Sequence, residues 1–410
     1  MSDPPLVLPS AKRRIMLVAG EPSGDALGAH LMAALRLRTL GRVEFYGIGG
    51  EQMEQQGLRS LFPMRELSVM GLVEVLPKVP RMLARIRETA DAARMLRPDA
   101  LVTIDAPGFN FRLARRLTDA GFPLIHMVAP TVWAWRQGRA RRIAKFLDHL
   151  LVLLPFEPAW FTPHGLHTTF VGHPVLESGA DRGHGPQFRA RHGIAADAPL
   201  LCILPGSRQG EIRRHLPVFG AAVNRLQARI AGLQLVVPTL PAIEAEVRDA
   251  VASWGLPSIV TTLAAEKFDA MAAADAALAA SGTVALELAL AGTPSVVAYK
   301  VNALTALVAR RLIKVRYVNL VNIILDRPVV PELLQQDCTP ARLAAAVERV
   351  MIDRDMRAAQ REAITAVATA LGRGGDPPSL RAADAVLHAI EMGPRRRRPT
   401  PPAKQEREAK

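Results

Sequence analysis

The chain has 410 residues, 49% hydrophobic and 22% charged, which excludes a disordered or fibrous protein and leaves room for two hydrophobic cores. Its formal charge is +14, and the stretch after Gly393 supplies +5 of that, with seven Lys/Arg against two Glu. Only Cys202 and Cys338 occur, which excludes a disulfide framework or a cysteine-rich zinc site and fits a reducing compartment.

The N-terminus, 1–14, is polar and broken by proline, so it is expected to be flexible and not a signal peptide. A strand at 15–19 then enters Gly20-Glu21-Pro22-Ser23-Gly24-Asp25 and a helix over about 26–37. This turn is not GxGxxG, so a nicotinamide cofactor has little support. Further strands are predicted at 43–48, 101–104, 124–128, 150–154 and 170–171. Strands alternating with helices at this spacing predict a doubly wound parallel sheet, whose sites lie at the carboxyl ends of strands. Glu21, Asp105 and the 129–136 loop fall there. The polar stretch 178–198 reads as a linker, after which strands recur near 200–204, 234–237, 258–261, 276–280 and 295–299. Helices follow at 340–352, 354–371 and 379–391. The predicted fold is α/β: two Rossmann-like doubly wound domains, 15–175 and 176–372, facing across a cleft. A C-terminal helix region, 373–393, and a disordered basic tail, 394–410, complete it.

Two turns in the second half carry chemistry. After the apolar run 200–204, Pro205-Gly206-Ser207-Arg208 leads into a polar helix. Free N–H groups at such a helix start suit an anion, and the Arg208 guanidinium matches a phosphate; a plain strand-to-helix loop with a solvated arginine is the competing possibility. Ser281-Gly282-Thr283 forms a similar turn, with the two hydroxyls placed to cap the next helix and Glu287 on its first turns, where a carboxylate suits the hydroxyls of a ribose. Together they outline a nucleotide-sugar pocket. Between the second and third strands, segment 66–87 sets Met70, Leu72, Val73 and Leu76 beside Lys78 and Arg81, a basic amphipathic pattern suited to an anionic membrane surface or to ordinary core packing. Residues 303–318 repeat it.

VAGEPSGD (18–25), VMGLVEVL (69–76), TIDAPGFNF (103–111), PTVWAWRQGR (130–139), LPFE (154–157), FVGHP (170–174), LPGSRQGEI (204–212), ASGTVALE (280–287), RYVNLVNII (316–324) and PELLQQDCTP (331–340) resemble the lipid-A-disaccharide synthase family over roughly residues 14–390. The resemblance implies a GT-B glycosyltransferase, cytoplasmic and peripheral to the inner membrane. It would join UDP-2,3-diacylglucosamine to 2,3-diacylglucosamine 1-phosphate, releasing UDP and leaving a β-1,6 disaccharide. An α-linked donor giving a β product implies inversion, hence a base for the acceptor hydroxyl. Asp105 is the candidate base, a helix N-cap being its plainer role. Gly206, Ser207, Arg208, Ser281, Gly282 and Thr283 are expected at the diphosphate, Glu287 at the ribose, and Asn322 at the nucleotide or sugar. Glu21, Ser23, Trp133 and Trp135 are expected at the donor sugar or acceptor, with core packing an equal alternative for the tryptophans. The family usually carries a second Asp where this chain has Gly108. Neither a metal nor any other cofactor is expected, and the single DxD, Asp353-Arg354-Asp355, reads as a cap. A UDP-N-acetylglucosamine 2-epimerase, a nucleic-acid-binding protein using the basic tail, and a Rossmann oxidoreductase are the competing readings; no nucleic-acid partner is expected.

Overall fold

A computed structural model of the chain describes residues 12–67, 79–302 and 315–395. Met70, Leu72, Val73, Leu76 and Lys78, most of the basic segment after 302, and the tail from 396 lie outside the described residues.

The first sheet holds β1 Arg13–Ala19, β2 Val43–Ile48, β3 Arg59–Ser60, β4 Ala100–Ile104, β5 Leu124–Met127, β6 His149–Val152 and β7 His167–Phe170. Its helices are α1 Pro22–Arg38, α2 Glu51–Gln55, α3 Val79–Leu96, α4 Pro107–Arg116, α5 Arg139–Ile143 and α6 Pro158–Phe161. After α7 Gly185–Arg191 the second sheet uses β8 Leu200–Leu204, β9 Gln234–Pro238, β10 Ser258–Thr261, β11 Ala276–Ala280, β12 Ser295–Tyr299 and β13 Glu332–Leu334. Around it lie α8 Gln209–Gln227, α9 Glu244–Ala252, α10 Ala264–Ala273, α11 Val284–Leu290, α12 Leu320–Leu325, α13 Pro340–Ile352 and α14 Arg354–Ala370, and the chain closes with α15 Pro378–Met392.

Strand order is β3-β2-β1-β4-β5-β6-β7 in one sheet and β10-β9-β8-β11-β12-β13 in the other, with parallel pairing between neighbours. Both sheets are covered on two faces, which is why their central strands read as unbroken apolar runs. The two faces separate at period two. Met16 and Val18 enter one core and Ile15, Leu17 and Ala19 the other; in β8, Leu201 and Ile203 oppose Leu200, Cys202 and Leu204. Order reverses between β1 and β4 and again between β8 and β11, so each sheet has one topological switch point, the crevice where such folds bind ligands.

The sheets meet through an apolar cluster. Trp133, Leu154 and Phe156, beyond the carboxyl ends of β5 and β6, pack with Ala285, Leu286 and Leu290 of α11, which begins beyond the carboxyl end of β11. The chain then returns: Ala382, Ala383 and Val386 of α15 enter the core of the first sheet beside Ile15 and Leu17. Arg38 of α1 pairs with Asp384 at 2.8 Å and with Asp376 at 3.1 Å.

Short elements, among them α2, β3, α5, α6, α12 and β13, have no counterpart in the sequence reading, being too short to show a period. Segment 178–198 is packed and not a loose tether: Phe188 is fully buried, and a Cβ on Gly185 would lie 2.5 Å from the Ala272 carbonyl of α10. Strand β1 begins at Arg13, inside the stretch expected to be flexible, because Asp99 takes both the Arg13 guanidinium at 3.1 Å and the Arg14 N–H at 2.7 Å. No helix among the described residues is long and apolar enough to cross a membrane.

Candidate active site

At the first switch point the loops after β1 and β4 lie against each other. A Cβ on Gly20 would approach the Cβ of Ala106 to 2.7 Å, so the missing side chain is what lets Glu21 close on the Asp105 turn. Asp105 and Ala106 both have left-handed backbones, φ +50° and +41°. Buried Asn110 holds that shape, its amide donating to the carbonyls of Asp105 (2.8 Å) and Ile104 (3.1 Å). The cap of α4 is Ala106, and no side chain caps it, so the N-cap role for Asp105 is not realised. The carboxyl of Asp105 is instead half-buried and enters no ion pair among the described residues; burial pushes it above the usual carboxylate range, opposed by the Ala106 N–H.

Glu21 is partly exposed and Ser23 exposed at the start of α1. Asp25, four residues on, is buried and accepts from the N–H groups of Gly50 (2.8 Å), Gln52 and Met53 (both 3.1 Å), tying α1 to α2. Gly108 is exposed, and a Cβ there meets nothing within 4 Å.

Trp133 is buried, 9% exposed, and its indole N–H donates to Glu157 at 3.3 Å. Glu157 also accepts from the N–H groups of Leu153 (3.1 Å) and Leu154 (3.0 Å), and burial raises its carboxyl to about 7. Trp133 is thus a packing residue of the junction. Trp135 stays partly exposed, bonded to Thr131 at 3.2 Å, with Arg136 over its ring at 4.6 Å.

At the second switch point, Gly206-Ser207-Arg208 after β8 lies beside Ser281-Gly282-Thr283 after β11. Gly206 adopts φ +126°, and a Cβ there would sit 2.8 Å from the Glu211 side chain. Glu211 is the capping residue that the sequence reading missed. Its Oε2 accepts from the N–H groups of Ser207 (3.3 Å) and Arg208 (3.4 Å), so these donors, expected to be free for a diphosphate, already face a carboxylate through long bonds. Its Oε1 accepts from Tyr299 and from Arg208, both at 3.4 Å, while the Arg208 side chain remains 61% exposed. The spacing Arg208-x-x-Glu211 is the sequence signal for this cap.

His215, fully buried, joins the β8 and β12 ends: Nδ1 donates to the Pro205 carbonyl at 2.8 Å and Nε2 accepts from the Lys300 N–H at 3.1 Å. Burial lowers its pKa, favouring the neutral ring, and the two backbone partners set the tautomer.

Glu287 faces Lys267 of α10, with N–O distances of 2.7 and 2.8 Å. Ser281 and Thr283 do not cap α11. Thr283 already has helical angles, φ −62° and ψ −23°, so its hydroxyl is not set for the first-turn N–H groups. Asn322 is a correction. It is 1% exposed, and its amide is spent internally: Oδ1 accepts from Val329 and Val330 (both 2.9 Å), and Nδ2 donates to the Val330 carbonyl and Glu332 (both 2.8 Å). No capacity is left for a nucleotide. Asp353 caps α14 through the Met356 N–H at 2.9 Å, as the DxD reading expected. Arg81 is exposed and pairs with Glu66 at 3.1 Å, while Met82 and Leu83 of the same helix pack on the first core.

Two doubly wound sheets with their switch-point turns on facing carboxyl edges define a GT-B protein. Solved structures agree on that fold: a UDP-GlcNAc 2-epimerase from Neisseria meningitidis bound to UDP-GlcNAc (TM-score 0.61, 11% identity, 92% of this chain and 100% of that one) and the calicheamicin glycosyltransferase CalG4 (TM-score 0.59, 17% identity, 93% and 98%). The family model for lipid-A-disaccharide synthetase matches residues 15–374. Curated lipid-A-disaccharide synthases from Rhodospirillum centenum (58% identity, 92% of this chain, 94% of the relative) and Bradyrhizobium diazoefficiens (46%, 94% and 98%) are similar along almost their whole length. The chain belongs to the lipid-A-disaccharide synthase family.

Proposed function

We propose that the chain is the glycosyltransferase that condenses UDP-2,3-diacylglucosamine with 2,3-diacylglucosamine 1-phosphate, giving the β-1,6 disaccharide 1-phosphate and UDP. The observation that carries this beyond family membership is the coincidence of the two switch points with the two halves of the chemistry. Arg208 and the Ser281–Thr283 turn stand at one, and at the other a partly desolvated Asp105 that enters no ion pair among the described residues.

In this reading Asp105 removes the proton from the acceptor 6-hydroxyl as the oxygen attacks the anomeric carbon from the face opposite UDP. Partial burial makes the carboxylate more basic than an exposed one, which is the direction a general base needs. Arg208 meets the charge on the departing diphosphate. The amides of Ser207 and Arg208 become available when Glu211 gives up its long bonds. Helix α11 has seven residues, so any contribution there comes from the Ser281 and Thr283 hydroxyls and local amides more than from a macrodipole. Glu287, oriented by Lys267, takes the ribose hydroxyls. Glu21, Ser23 and Trp135 border the sugars. Arginine and amide donors carry the phosphate charge in this mechanism, and no metal is assigned. The acyl chains of both substrates place the working enzyme at the cytoplasmic face of an anionic membrane, consistent with the composition of 66–87.

The test is UDP release on mixing the protein, without added metal, with both lipid substrates in detergent. Release that depends on the acceptor supports the proposal. Acceptor-independent turnover of a UDP-sugar by folded protein would overturn it in favour of an epimerase.

A further inference from the structure

At the amino edge of the first sheet, away from both switch points, lies a cavity of about 270 Å³. It is lined by Asp148 just before β6, His149 of β6, His167 of β7, His388 and Met392 of α15, and Arg395. We propose that this cavity is a binding site for a small oxyanion of the phosphate-monoester class.

The donors and acceptors facing it are unequal. Three imidazoles and a guanidinium line it, against one carboxylate. That carboxylate is already engaged: Asp148 Oδ2 accepts from the Leu124 N–H at 2.7 Å and Oδ1 from the Arg395 N–H at 3.1 Å. Arg395 gives Nη1 to the carbonyls of Ala144 (3.5 Å) and Leu147 (3.3 Å), which fixes the guanidinium at the rim, with Nη2 near Gly165. His149 is held by Thr169 at 2.7 Å, its ring centroid 6.2 Å from that of His167. His167 and His388 are exposed, so an ion reaches them from solvent. A site rich in donors, with its one acceptor occupied, is complementary to an anion. At about 30 Å³ per water, the volume holds a phosphate together with several waters.

Burial and the charges of His167 and His388 hold His149 to about 4, so it stays neutral near pH 7 and donates or accepts without charge. An oxyanion favours an imidazolium over a neutral imidazole, so protonation of the exposed rings and anion binding reinforce each other.

Calorimetry of inorganic phosphate added to the full chain saturated with UDP tests this, since UDP blocks the nucleotide site. The expected result is saturable binding near pH 6. It should weaken about tenfold or more in His167→Ala/His388→Ala, the scale of one lost charge-assisted bond, with UDP affinity unchanged. Phosphatidylcholine vesicles with and without phosphatidic acid distinguish the sources: binding specific to phosphatidic acid and lost in the double variant assigns the ion to a lipid headgroup, whereas phosphate binding alone assigns it to a free solute. Histidine NMR of the unmodified protein, where added phosphate should shift the ring resonances of His167 and His388 saturably, keeps the test open if the variant misfolds. Absence of binding from both sources near pH 6, or binding unchanged by the double substitution, overturns the proposal.

Discussion

Asp105 combines a left-handed backbone with a carboxyl that burial makes harder to ionise. Its folded pKa lies above the unfolded one, so its ionised form costs stability, and that cost grows as pH rises from the unfolded value through the folded one. Asp105→Asn should therefore melt at or slightly above the parent temperature at neutral pH, with the difference shrinking toward about pH 4. The same variant should lose roughly two to four decades of turnover. Calorimetric melting beside UDP release checks both, and a folded variant with near-parental turnover would remove Asp105 from the base role. Asn322 carries the opposite expectation. Asn322→Ala leaves two N–H groups, a carbonyl and Glu332 without their partner in a buried place, costing on the order of 2–4 kcal/mol. Its melting temperature should fall while the KM for UDP-sugar in the folded fraction stays near parental; a selective rise in KM would restore a ligand role. Sequence showed that Asn322 was polar in an apolar run. It did not show the loop at 329–332 that consumes the amide, because that contact depends on β13 joining the sheet edge.

At the scale of elements, the long buried strands were legible because parallel strands covered on both faces are continuous apolar runs bounded by glycine and proline. The reversals of strand order were not legible as such, yet glycine-bearing turns marked the four strand ends that flank them. What escaped were contacts between elements. Lys267 reaches Glu287 from twenty positions away on another helix, and the closeness of Gly20 to Ala106 exists only once β1 and β4 pair. That closeness gives a prediction. In Gly20→Ala the new methyl meets a Cβ with no rotamer to retreat into, so the turn carrying Asp105 has to shift. Overpacking of this kind costs about 1–3 kcal/mol. A misplacement approaching 1 Å costs up to about a hundredfold in rate, so kcat should fall by one to two decades while UDP affinity, set at the other sheet, is kept. An equal loss of UDP binding would show that the two switch points are not separable in this way.

For the molecule as a whole, the junction between the sheets contains a titrating group. Glu157 holds the Trp133 indole and two backbone N–H groups at the carboxyl edge of the first sheet, and Trp133 packs with the α11 residues that precede and follow Glu287. Burial lifts the Glu157 carboxyl to about 7 despite those three donors, so desolvation outweighs hydrogen bonding there. The sign follows from linkage. A carboxyl whose folded pKa exceeds its unfolded one contributes stability that is complete below the unfolded value, about 4.3, and is lost as pH rises through the folded value. The loss is on the order of 3 kcal/mol between about pH 4 and pH 8. Glu157→Gln cannot titrate. Its carbonyl keeps the Leu153 and Leu154 donors, but its amide turns a donor toward the indole N–H, at a cost of about 1–3 kcal/mol. The variant should therefore be less stable than the parent near pH 5 and lose less on going to pH 8, so the two melting curves converge as pH rises. Melting temperatures for both proteins across pH 5–8 decide it. Parallel curves would mean that Glu157 is already ionised through that range and that its three hydrogen bonds, not its burial, set its charge.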